Sequence, residues 1–136
     1  MLKIVFTVIS CLVFIACNQS NTKSKPTDPL TAGRYFIDAS LKGDYKDARR
    51  YILEDSLNLM YFDRISDFYQ KMKPEEKEGY KNANIIIGTE GVEAVSDSVT
   101  IINYSNTFKN RPSKIKVVKV NGDWLVDFKY TFSGNL

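Results

Sequence analysis

Acidic, tyrosine and lysine side chains are the residues of this chain that could carry acid–base chemistry, because its 136 residues include no His. Without His, the Ser-His-Asp and Cys-His nucleophilic sites and an imidazole general base are excluded. A carboxylate, a tyrosine or a lysine could replace them only if burial shifted its pKa toward neutrality. Asp38 follows Ile37 beside the apolar stripe of the first predicted helix, and it is the candidate buried acid. Asp63 and Asp67, in contrast, are expected on a solvated helix face.

Aromatic residues are plentiful, with eight Tyr, eight Phe and one Trp. Such side chains can line a ligand pocket, where the rings give contact area and the hydroxyl groups fix orientation. They can equally form an ordinary core. Both interpretations stay open for the pocket candidates, which are Tyr61, Tyr104, Trp124, Phe128 and Tyr130.

The first 17 residues have the layout of a bacterial export signal. Lys3 precedes an apolar run of twelve residues, 4–15, which is shorter than the roughly 20 residues of a membrane-spanning helix. The run ends in FIAC at residues 14–17, which resembles a lipobox, the motif in which a Cys thiol is acylated before the preceding residues are removed. The sequence predicts a signal peptide over residues 1–16 and a lipidated Cys17 that anchors the protein to a membrane.

Residues 18–27 are expected to form a flexible tether, because they contain no aliphatic or aromatic residue. Lipidation consumes Cys17 and Cys11 leaves with the signal peptide, so the exported domain is expected to have no disulfide. By resemblance to lipoproteins of envelopes with two membranes, Asn18 in place of Asp implies the outer membrane, with the domain facing the periplasm. Export to the cell envelope also argues against nucleic acid as a partner of the basic residues between 109 and 116.

The composition is that of one globular domain, with 43% hydrophobic and 26% charged residues. Asp28 can cap a helix that begins at Pro29, and Gly43 can end it. After residue 84 the apolar residues follow strand-like patterns. Helices are therefore predicted at 29–42, 45–50, 55–73 and 74–79, and strands at 85–87, 99–104, 115–120 and 124–132.

The dipeptide Asn121-Gly122 between the last two strands is a strong signal for a two-residue hairpin turn with positive φ at both positions. This turn sets three cross-strand pairs, which are Val117–Val126, Lys116–Asp127 and Ile115–Phe128. Lys116, Asp127 and Lys129 are then expected on the wet face of the sheet. Helices followed by an antiparallel meander predict an α+β domain over residues 28–136, with N-terminal helices packed on one side of a curved sheet of about four strands.

Three short motifs carry a resemblance to a family. They are ASLKGDYKDA at residues 39–48, PEEK at 74–77 and VNGDWLV at 120–126. Together they resemble small bacterial lipoproteins of unknown function with a nuclear transport factor 2-like, or cystatin-like, domain. The resemblance covers roughly residues 29–132 and implies a cone in which sheet and helices enclose a pocket.

Three functions from different classes follow from these features. The first is a lipid-anchored, non-catalytic envelope protein that binds a small apolar ligand or an envelope protein. The second is an enzyme of the same superfamily, with a buried Asp and a Tyr for proton transfer. The third is an assembly protein that forms a homodimer through the open face of its sheet. No sequence motif indicates a metal or a cofactor.

Overall fold

The computed structural model describes residues 24–134, so Cys17, the signal peptide and most of the tether lie outside the described residues. The first helix, α1, runs over Pro29–Leu41, as its cap and stop signals predict. The carboxylate of Asp28 accepts a hydrogen bond from the backbone N–H of Thr31 at 2.8 Å. Gly43 follows the helix with a φ of 73°, a backbone conformation that glycine adopts without strain.

The other helices follow in the predicted order. Helix α2 covers Tyr45–Ala48 and continues into a 3-10 helix, Arg49–Tyr51. Helix α3 covers Ser56–Lys71, and the Asp55 carboxylate caps it by accepting the N–H groups of Leu57 and Asn58 at 3.1 and 2.9 Å. Helix α4 covers Pro74–Lys81 and starts at a proline.

The sheet is antiparallel and has five strands in the described part of the chain, which are β1 Ile85–Ile86, β2 Val92–Ser96, β3 Val99–Asn106, β4 Ser113–Val120 and β5 Asp123–Asp127. Strands β1 and β2 both pair with β3, at its opposite ends, and β4 and β5 follow on the other side. The sequence analysis missed β2. All five of its residues are exposed, so no inward-facing apolar pattern marks this strand.

The last hairpin confirms part of the predicted register. Asn121 and Gly122 have φ values of 50° and 86°, and the pairs Val117–Val126 and Lys116–Asp127 are present. The predicted continuation of the strand to residue 132 is wrong, because β5 ends at Asp127 and Phe128–Phe132 form a 3-10 helix. The predicted Ile115–Phe128 pair is therefore absent from the ladder.

The core lies between α1 and the inner face of the sheet, and the ring of Phe62 from α3 extends it. Ile102, Ile115, Val117 and Val126 supply fully buried side chains on the sheet side. Gly33 allows α1 to approach the sheet closely, because a β-carbon there would lie 2.5 Å from the Ile102 Cδ1 atom. The α+β class is confirmed, since residues 24–134 form four α-helices and a curved, unclosed antiparallel sheet.

Candidate functional site

Asp38 does not form the predicted buried acid site. Its side chain is 35% exposed and its carboxylate binds the Lys42 Nζ atom at 2.9 Å, one helical turn later. Ile37 is buried, and consecutive residues of a helix point about 100° apart, so Asp38 is turned toward the side of α1. The predicted buried acid is therefore wrong at this position. Asp63 and Asp67 are exposed, as expected.

Two of the five aromatic pocket candidates, Tyr61 and Phe128, pack against the same ring, that of Phe132, and the described residues show no ring contact that joins them to the other three. Phe128 packs in the core, 5.2 Å from the ring of Phe36. Tyr61 stacks on Phe132 at 4.7 Å, and the Lys116 ammonium lies 5.3 Å from the ring centre of Tyr130.

Tyr104 is partly buried near the end of β3, and burial raises the pKa of its hydroxyl group. Of the five candidates, only Trp124 borders the groove described below.

The buried acid is instead Asp127, with 4% of its surface exposed. It belongs to a polar network at the junction of β5 and α3. The fully buried Asn58 amide donates to Asp127 Oδ1 at 3.1 Å and to Asp55 Oδ2 at 2.8 Å. The Asn58 Oδ1 atom accepts the backbone N–H of Lys129 at 2.7 Å. These bonds hold the chain after Asp127 against α3, which explains why it leaves the sheet there.

Two ammonium groups neutralise the two carboxylates of this network. Lys116 Nζ lies 2.7 Å from Asp127 Oδ2, and Lys129 Nζ binds both Asp127 and Asp55. Burial alone raises the pKa of Asp127, but hydrogen bonds from Lys116, Lys129 and Asn58 outweigh burial and leave that pKa below its ordinary value. An ionised carboxylate held by two ammonium groups is a poor proton donor and a poor base at neutral pH. The network is therefore structural, and the expectation that Asp127 lies on a wet face is wrong.

A groove runs along the outer edge of β5, on the side away from β4. Ile52 forms a parallel bridge with Val126, and the Leu53 N–H donates to the Val126 carbonyl at 2.9 Å. Backbone groups alternate in direction along a strand, so the N–H and C=O of Trp124 point to this same outer edge. The space beside them has a volume of about 250 Å³. We call it the β5-edge groove, and its lining residues are Ser24, Lys25, Pro26, Arg50, Tyr51, Asp123, Trp124 and Leu125.

Tyr51 is the buried polar residue of this groove. Its side chain packs against Tyr35 with ring centres 5.5 Å apart, and the guanidinium carbon of Arg50 lies 5.9 Å from its ring centre. Only 4% of Tyr51 is exposed, and its hydroxyl group has no hydrogen-bond partner in the described part of the chain. Burial raises the pKa of this hydroxyl, and the nearby Asp47 carboxylate raises it further. Tyr51 therefore stays protonated and can donate a hydrogen bond.

A second depression of about 370 Å³ adjoins the groove and shares Arg50 and Leu125 with it. Arg49 also borders this depression, and its guanidinium group forms long ion pairs with Glu54 at 3.9 Å and Asp63 at 3.6 Å. The sequence analysis identified Trp124 but missed Tyr51 and Arg50. An aromatic residue beside an arginine in a 3-10 helix has no distinctive sequence pattern, and only the fold brings that helix to the edge of β5.

Comparison of the chain with protein-family models, with curated proteins and with solved structures finds no match. In residues 24–134, no helix combines the length and the apolar character needed to cross a bilayer. The same residues contain no cluster of three His, Cys, Asp or Glu side chains suited to a metal ion.

Proposed function

We propose that the protein is a lipid-anchored protein of the cell envelope whose α+β domain binds a small ligand in the β5-edge groove without catalysing a reaction. The unpartnered Tyr51 hydroxyl carries this proposal. A buried polar group without a partner costs roughly 1–3 kcal/mol, and buried groups of this kind are rare in native proteins. A ligand that offers the hydroxyl a hydrogen bond recovers this free energy.

The polar network supports a binding role over an enzymatic one. Within residues 24–134, Asp127 is the one buried carboxylate, and its two lysine partners hold it ionised. The groove itself is lined by the carboxylate of Asp123, which Lys25 neutralises at 2.6 Å. Asp127 therefore lacks the raised pKa that a general acid needs near neutral pH.

The proposed anchor places the groove near a membrane. Ser24, which borders the groove, follows Cys17 by seven residues. The predicted tether over these residues would have a root-mean-square span of about 15 Å. Lipid on Cys17 would therefore hold the groove close to the headgroups. We place the domain at the outer membrane, facing the periplasm, because Asn18 follows the predicted lipidated Cys. We place it among nuclear transport factor 2-like lipoproteins because of the three motifs at residues 39–48, 74–77 and 120–126.

Native mass spectrometry of the full chain, released from its own membranes in a neutral detergent, tests ligand binding directly. We expect a population whose mass exceeds that of the acylated protein by one small molecule. Leu125→Trp should reduce this population, because Leu125 borders both the β5-edge groove and the adjoining depression. Val118→Trp is the matched control, since Val118 pairs with Leu125 across the sheet and does not line the groove. Equal occupancy in both variants, or no added mass in the parent protein, would refute the proposal.

A further inference from the structure

Two cationic side chains and one carboxylate line the β5-edge groove, namely Arg50 and Lys25 against Asp123. The Tyr51 hydroxyl and the backbone N–H of Trp124 are further hydrogen-bond donors of the lining residues. This excess of cationic groups favours an oxyanion, which accepts hydrogen bonds from such donors.

Two of these donors keep hydrogen-bonding capacity for a ligand. Arg50 makes one hydrogen bond, from Nη1 to Asp47 Oδ1 at 3.1 Å, whereas a guanidinium group carries five N–H donors. Tyr51 makes none. The Arg50 guanidinium carbon lies 5.9 Å from the centre of the Tyr51 ring, so the two side chains are neighbours in the lining of the groove.

The segment beside these donors is held weakly. Lys25 and Asp123 form an ion pair whose side chains are 72% and 36% exposed. Exposed pairs of this kind contribute about 0–1 kcal/mol, so an incoming anion can take Lys25 from Asp123 at little cost. The Tyr51 hydroxyl has almost no exposed surface, so a ligand reaches it only when neighbouring groups of the groove, such as residues 24–26, move.

We infer that the β5-edge groove binds a phosphate group, either free or carried by an anionic lipid headgroup. This inference rests on the proposed function and names the part of the ligand that the site recognises. A phosphate group is tetrahedral and accepts hydrogen bonds on two unesterified oxygens in a diester and on four oxygens in the free anion, so it can accept from several of these donors at once. The side chains of Pro26 and Leu125 supply an apolar wall for the rest of the molecule.

The test uses the emission of Trp124, because it is the single Trp of the chain and lines the groove. The full chain is reconstituted in phosphatidylcholine vesicles and titrated with inorganic phosphate, with chloride at equal ionic strength as the control. A parallel sample contains phosphatidylglycerol in the bilayer. A saturable emission change with inorganic phosphate identifies the free anion, and a change confined to phosphatidylglycerol vesicles identifies the headgroup. Either result supports the inference.

Two substitutions connect the response to the donors. Tyr51→Phe should weaken binding about tenfold, because it removes one hydrogen bond to a charged group. It should leave the thermal midpoint unchanged or raised, since the lost hydroxyl had no partner. Arg50→Gln should weaken binding at least as much. The matched controls Tyr61→Phe and Arg34→Gln remove the same groups at positions that do not line the groove and should bind normally.

Asp123→Asn should tighten binding, because it removes the one carboxylate that competes with the ligand for Lys25. The inference is overturned if neither phosphate source changes the emission, or if Tyr51→Phe and Arg50→Gln respond like their controls. If the inference fails but native mass spectrometry still detects a bound small molecule, the proposed function holds and the ligand is not a phosphate.

Discussion

Replacement of Asn58 by alanine is the sharpest test of how this domain is held together. The Asn58 side chain is fully buried and makes three hydrogen bonds, two to carboxylates and one from the backbone of Lys129. Asn58→Ala removes all three and leaves the Lys129 N–H without its acceptor. The Asp127 carboxylate also loses one of its donors inside the protein.

The expected loss follows from these contacts. A buried hydrogen bond to a charged group contributes about 1.5–3 kcal/mol, and a neutral or partly exposed one about 1 kcal/mol or less. The bond to Asp127 belongs to the first kind, and the bond from Lys129 to the second. The free energy of unfolding should therefore fall by about 3 kcal/mol. With an m-value of about 1.5 kcal/mol/M, this corresponds to a midpoint lower by about 2 M urea.

Urea denaturation followed by Trp124 emission measures this loss. Asn82→Ala is the control, because the Asn82 amide also binds a carboxylate, Glu78 at 2.7 Å, but at an exposed helix end. We expect the control to change the unfolding free energy by less than about 0.5 kcal/mol. Asn58→Asp should be about as harmful as the alanine variant, because it keeps the size of the side chain but replaces the amide donor by a third carboxylate. Coinciding midpoints for Asn58→Ala and Asn82→Ala would refute a stabilising role of the network.

Three further predictions concern other parts of the chain. Gly122→Val should lower the unfolding free energy by about 1–2 kcal/mol, because Gly122 has a positive φ. The control Gly88→Val should cost less, because Gly88 has equal space around it and no positive φ. Equal denaturation midpoints of the two variants would show that the turn tolerates side chains. Cys17→Ser should move the protein from the membrane fraction to the soluble fraction and remove the acyl mass, and a variant that stays membrane-bound with unchanged mass would contradict lipidation. Because the folded pKa of Asp127 lies below the unfolded value of 3.8, its stabilising contribution should be complete above about pH 5 and disappear as the pH falls through the folded pKa. Urea midpoints between pH 7 and pH 2 should show this decrease, and an Asp127→Asn variant with the same acid slope as the parent would assign the effect to other groups.

Local signals were sufficient to predict much of the fold. The cap at Asp28, the proline at the start of α4 and the dipeptide Asn121-Gly122 each act over a few residues, and the structure contains the elements they predict. The pairing of Lys116 with Asp127 also followed from the turn, since a two-residue loop leaves one register.

The features that were not predicted depend on contacts between distant parts of the chain. The alternation of side chains along β5 predicted that Asp127 lies on the wet face of the sheet. In the structure the start of α3 covers Asp127, and its contact residue Asn58 is 69 positions away in the sequence. Tyr51 reaches the groove for a similar reason, because residues 52 and 53 bond to the edge of β5. Patterns within one segment do not contain this information.

The two edges of the sheet have a consequence if the proposed lipid anchor concentrates copies of the protein on a membrane surface. Residues 52 and 53 occupy part of the β5 edge, while the opposite edge is divided between β1 and β2 and has an irregularity between Ala94 and Ser96. Long, flat, unpaired edges are the templates on which proteins polymerise strand by strand. Acylated copies confined to one leaflet would meet one another far more often than the same number in solution. A sheet with interrupted edges can tolerate that crowding without forming fibrils.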